Sequence, residues 1–109
     1  MLKQLKYYQT SNGNAPFIAW LESLKDKVTR ARIQSRLTRL VTSNYGDYKF
    51  VGEGVYELRI HFGAGYRIYF AEIDDEVILL ISGGDKSHQA QDIKRAQEYW
   101  HDFKRRTNA

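Results

Sequence analysis

The stretch Gly54-Val-Tyr-Glu-Leu-Arg-Ile-His-Phe-Gly-Ala-Gly-Tyr-Arg-Ile-Tyr-Phe70 decides how this chain folds. Apolar and polar residues alternate along it, the period of a strand with two unlike faces. Tyr56, Leu58, Ile60 and Phe62 share one side, while Glu57, Arg59 and His61 share the other. Gly63-Ala64-Gly65 supplies the turn of a β-hairpin. A three-residue loop there would set Phe62 opposite Tyr66, Ile60 opposite Ile68 and Leu58 opposite Phe70. The same register sets His61 opposite Arg67 and Arg59 opposite Tyr69. Two guanidinium groups, an imidazole and a phenol then line one side, with cross-strand Cβ atoms about 5 Å apart. Such a cationic face suits a phosphate ligand. The competing reading is a solvated sheet face on which Glu57 pairs with an arginine.

Working outward, Asp74-Asp75 makes a tight turn into Val77-Ile-Leu-Leu-Ile81. That run is apolar at every position, so it reads as a central strand covered on both faces. Tyr48 to Val51 reads as a further strand before the hairpin, and Leu2 to Tyr8 as one at the start of the chain. Asn14 followed by Pro16 opens a short helix that carries Phe17, Leu21 and Leu24 on one face and ends near Asp26. A second helix runs to about Ser43, and a last one starts near Ser87 and buries Ile93, Ala96, Trp100 and Phe103. The order is strand, two helices, three or four strands, helix. Tight hairpins make the late strands antiparallel, so the expectation is an α+β domain. Its antiparallel sheet of four or five strands carries two N-terminal helices on one face, with a C-terminal helix besides.

Residues 1–109 read as a single domain, and the absence of cysteine suits a reducing compartment. No apolar run of membrane-spanning length and no signal-peptide core is visible, so the expectation is a cytoplasmic protein without a membrane partner. The net charge is +4. Residues 25–39 hold six cations against the single Asp26, a net of +5, so the remainder of the chain sums to −1. Lys25, Arg32, Arg36 and Arg39 recur at helical spacing beside the apolar stripe Ile33, Leu37, Leu40 and Val41. This ridge is either a solvated face or a grip for a polyanion or an acidic partner.

Ile81-Ser-Gly-Gly-Asp-Lys-Ser-His-Gln89 joins the central strand to the last helix. Gly83 and Gly84 are expected to let the backbone leave the sheet in a conformation closed to other residues. Asp85 or Ser87 caps the helix, whose free amides and dipole favour an anion next to Lys86. A plain strand-to-helix turn explains the same residues.

Tyr56-Glu-Leu-Arg-Ile, Gly65-Tyr-Arg-Ile-Tyr-Phe70 and Ser82-Gly-Gly-Asp-Lys-Ser-His-Gln89, followed by Asp92-Ile93, Ala96 and Trp100, resemble the RelE/ParE superfamily of toxins. Within it they look like the HigB-related, phage-derived addiction module killer branch. The resemblance implies the toxin of a type II toxin–antitoxin pair, neutralised by a cognate antitoxin, a small helix-turn-helix protein. RelE-like and HigB-like members cut mRNA on the ribosome without a metal or other cofactor, by attack of a ribose 2′-OH on the adjacent phosphodiester. That reaction needs a base, cationic donors for the charge growing on phosphorus, and an acid for the leaving oxygen.

Carried over, Arg67 falls on the arginine that clamps the scissile phosphate. Arg59 falls where RelE-like nucleases place a strand lysine, and Lys86 falls near their cation after the glycine turn. The expectation is that these three converge on one spot. Glu57 stands where the RelE type has another lysine, and Asp92 stands nearest the position of its C-terminal tyrosine. For the proton transfers His61 is the first candidate, since its ordinary pKa lies near neutrality, and Glu57 is the alternative base. Arg32, Arg36 and Arg39 are candidates for holding RNA, and Tyr69 for stacking on a base. The superfamily also contains non-enzymatic inhibitors of DNA gyrase, a reading that Glu57 and the missing tyrosine favour.

Overall fold

The computed structural model describes residues 2–107. Strand β1 (Gln4–Tyr7) leads into helices α1 (Pro16–Ser23) and α2 (Lys27–Val41). Strands β2 (Tyr48–Phe50), β3 (Tyr56–Ile60), β4 (Tyr66–Glu72) and β5 (Val77–Asp85) follow. A 3₁₀ turn (Lys86–His88) then enters helix α3 (Gln89–Thr107). The five strands form one sheet in the order β1-β5-β4-β3-β2. The hairpins make β2 to β5 antiparallel, as expected, and β1 joins the far side of β5 in parallel.

Local chemistry sets the ends of the helices. Asp26 caps α2 by accepting bonds from the Val28 and Thr29 amides at 3.4 and 3.3 Å and from the Thr29 hydroxyl at 2.7 Å. Pro16 opens α1 as anticipated, but its N-cap is Ala15, and Asn14 instead accepts the Thr10 amide through its carbonyl. No helix among the described residues is long and apolar enough to cross a membrane.

The alternation within β5 builds two cores. Ile78 and Leu80 pack with Phe17, Leu21, Ile33, Leu37 and Leu40 of α1 and α2 on one face of the sheet. Leu79 and Ile81 pack with Ala96 and Trp100 of α3 on the other. All four β5 side chains are buried, which is why the run is apolar throughout. Helices therefore cover both faces, and the hairpin's polar side lies partly beneath α3.

The hairpin register differs from the expected one by two residues. Ile60 faces Tyr66, Leu58 faces Ile68, and Tyr56 faces Phe70. The loop is His61 to Gly65, five residues rather than three, with Gly63 at φ 56° and Gly65 at φ 77°. Both glycines take the left-handed conformation that such a turn demands. A slip of two keeps every side chain on its expected face but changes all its partners. Arg59 accordingly faces Arg67, Glu57 faces Tyr69, and His61 sits in the loop.

Gly83 and Gly84 also act differently from the expectation. Both remain in β5, and neither has a positive φ. Each provides room instead: a Cβ at Gly83 would collide with the Trp20 ring, and one at Gly84 with the Asp92 carboxylate. The close approach of helices from opposite faces requires the glycines.

Candidate functional site

Glu57 is the centre of the polar cluster. It is completely buried, yet each of its oxygens is satisfied. Oε1 accepts from Arg59 Nε at 2.9 Å and lies 3.7 Å from Arg67 Nη1. Oε2 accepts from the Tyr69 hydroxyl at 3.1 Å and from Gln89 Nε2 at 2.8 Å. Burial alone would push the Glu57 carboxyl up, but the bonds from Arg59, Gln89 and Tyr69 and the charge of Arg67 hold it below its ordinary value. An ionised, enclosed carboxylate with three donors and a second guanidinium nearby is a poor proton acceptor, so Glu57 is not placed to act as a base.

Tyr69 is also fully buried, beneath α3. Burial and the neighbouring Glu57 carboxylate push its hydroxyl well above the usual tyrosine range. It has no face free to stack on a base, which corrects the role expected of it.

Arg67 keeps donors to spare. Its side chain is 13% exposed, its contact with Glu57 is longer than a hydrogen bond, and among the described residues its buried Nε has no partner. It lines a hollow of about 360 Å³ together with Lys86, Phe62, His61 and the two loop glycines. The Lys86 stem passes beside Gly65, where a Cβ would stand 3.2 Å from its Cδ. Asp85 accepts the Ser87 amide at 2.9 Å and so caps the turn that presents Lys86. Arg67 and Lys86 thus come together, while Arg59 stands beside Arg67 with its Nε spent on Glu57.

His61 is exposed on the rim of this hollow, its Nε2 paired with the Asp47 carboxylate. The bond from His61 holds the Asp47 carboxyl below its ordinary value. His61 therefore lies beside the site, though not directly across the ladder from Arg67 as expected.

A second hollow of about 250 Å³ adjoins the first across Phe62 and carries Arg32, Arg36 and Arg39. The Arg32 guanidinium lies 4.1 Å from the centre of the Phe62 ring. Arg36 is committed elsewhere: it donates to the carbonyls of Arg59, Tyr45 and Asp47 and ties α2 to the sheet edge. Arg32 and Arg39 remain exposed, so of the three candidates only Arg36 is structural. A larger hollow of about 590 Å³ on the outer side of α3 mixes Glu53, Glu98 and Asp102 with Lys94 and Arg105. Its mixed charge favours neither an anion nor a cation.

Among the described residues no three His, Asp or Glu side chains are grouped to hold a metal ion. Reading the residues alone missed Gln89, Asp47 and Phe62. Gln89 lies thirty-two positions from Glu57, so only the docking of α3 reveals the contact.

No family model matches the chain. An uncharacterized protein of Haemophilus influenzae is 44% identical over 81 residues, which make up 74% of this chain and 82% of that protein. The structure is similar to that of the E. coli toxin RelE, solved as a mutant in the free state, with a TM-score of 0.63. Identity there is 19%, over 89% of this chain and 95% of that one, a likeness of fold.

Proposed function

Since the chain belongs to the family of that Haemophilus influenzae protein and has a RelE-like fold, we propose that it is the toxin of a type II toxin–antitoxin pair. In this reading it acts in the cytoplasm as a ribosome-dependent mRNA endonuclease of the HigB-like branch and is silenced by a small helix-turn-helix antitoxin. The observation that carries the reading is the hollow lined by both Arg67 and Lys86 beside an exposed His61.

A ribose 2′-OH attacks phosphorus, the bond to the 5′ oxygen breaks, and the products are a 2′,3′-cyclic phosphate and a 5′-hydroxyl end. Arg67 and Lys86 take the charge that grows on the non-bridging oxygens. His61 accepts the 2′-OH proton or supplies one to the leaving oxygen. Arg32 and Arg39 hold the flanking strand or ribosomal RNA.

The test is growth after induction, with 5′-end mapping of cellular RNA. The wild type should arrest growth and generate new 5′-hydroxyl ends within messages, and Arg67→Ala should do neither while keeping its fold. A fully toxic Arg67→Ala variant would refute the site. The burial of Glu57 against Arg59 favours a second reading, a gyrase inhibitor without chemistry, because it neutralises part of the cationic face. Filamentation with a DNA-damage response and intact messages would support that reading instead.

A further inference from the structure

Two arginines directly opposite one another on neighbouring strands repel, and like charges in that arrangement destabilise a sheet. Here one buried carboxylate stands between them. Its two oxygens have separate duties: Oε2 is held by the neutral donors Tyr69 and Gln89, which aim Oε1 at the two guanidinium groups. The desolvation cost of burying a charge is offset by three hydrogen bonds and by the nearby Arg67 guanidinium.

Arg59 is fixed more thoroughly than Arg67. Its Nε is bonded to Glu57, its amide donates to the Asp47 carbonyl, and its own carbonyl accepts from Arg36. Arg67 meets the same carboxylate only at 3.7 Å, longer than a hydrogen bond, and its side chain lines the hollow. One arginine is a fixed neighbour, and the other is oriented with donors left over for a ligand.

We propose that Glu57 is a positioning residue, an ionised strut that locks Arg59 in place and aims the Arg67 guanidinium into the hollow shared with Lys86. The assignment rests on the RNA-cleaving reading and divides the arginines within it: Arg67 meets the phosphate, and Arg59 acts through Glu57. A strut of this kind governs the rate of the chemical step more than substrate affinity, because a misaimed cation still attracts RNA but no longer meets the transition state.

Two variants test it. Glu57→Gln with Arg59→Met removes the strut and its fixed partner together, so that neither is left facing a missing mate. Tyr69→Phe with Gln89→Met removes only the neutral donors that aim the carboxylate. One readout is the single-turnover rate of message cleavage on purified ribosomes at saturating toxin. The other is the ¹⁵N relaxation order parameter of the Arg67 Nε–H group in the free protein, which is independent of any nuclease activity.

The expected result for each variant that melts as a folded domain is a tenfold or greater fall in rate, binding to ribosomes changed by less than threefold, and a more mobile Arg67 Nε–H. A folded variant with wild-type rate and a wild-type order parameter overturns the proposal. If the wild type cleaves no message, the nuclease reading fails by itself. The order parameter then decides about the strut: greater Arg67 mobility in either pair of substitutions upholds it, and none removes it.

Discussion

Arg67, Lys86 and His61 border one hollow, and they differ in what else they do. His61 is exposed and pairs with the exposed Asp47, an arrangement worth at most about 1 kcal/mol to stability. His61→Gln should therefore leave the melting temperature unchanged while slowing cleavage by about 10²-fold or more, as a lost proton carrier does. An unaltered rate would exclude the imidazole. Glu57, by contrast, carries stability as well. Its carboxyl is held below its ordinary value, so its stabilising contribution is complete above the usual carboxylate range and is lost as pH falls through that lower value. Thermal melts from pH 7 into acid should show the wild type losing more stability than Glu57→Gln, and equal losses would contradict an ionised Glu57. The identities of the cations and their common face were legible from alternation, because parity survives a two-residue slip. Their partners were not, because loop length depends on glycines 63 and 65, either of which could open the turn.

At the level of elements, helices from two sides are pressed onto β5 through its glycines. Gly83→Ala places a methyl group within the Trp20 ring. Overpacking of this kind costs about 1–3 kcal/mol, so a melt should shift down by several degrees, and an unshifted melt would mean that Trp20 is free to move. Asp26→Ala should cost about 1 kcal/mol through loss of the α2 cap, read as a lower denaturant midpoint at constant slope. The helices, their stripes and the Asp26 boundary followed from spacing alone. The parallel pairing of β1 with β5 did not, since nothing in Gln4–Tyr7 names Val77–Leu80 as its partner in the sheet. For the same reason α3 covering the hairpin's polar side, and with it the burial of Tyr69, was not visible from local pattern.

Across the whole molecule the last helix is tied back to the residue that follows the first strand. The Tyr8 hydroxyl donates to Asp102 at 2.6 Å, and Arg106 bonds the same carboxylate. Burial and that bond push the Tyr8 hydroxyl up to about 12. A raised tyrosine contributes stability that is complete below its ordinary value of 10.0 and lost as pH rises towards 12. Alkaline melts should accordingly show Tyr8→Phe to be less stable than the wild type at neutral pH and less sensitive above pH 10, and parallel curves would contradict the tie. The positive charge is segregated as the sequence indicated, with exposed Arg32 and Arg39 flanking the hollow of Arg67 and Lys86. Message cleavage requires that hollow to grip a scissile phosphate. The most direct measurement is cleavage of a defined message on purified ribosomes by wild-type protein and by Arg67→Ala, with the ends of the fragments analysed. Cleavage leaving 2′,3′-cyclic phosphate and 5′-hydroxyl ends, lost in Arg67→Ala, is the result expected; intact message with wild-type protein, or equal cleavage by both, would contradict it.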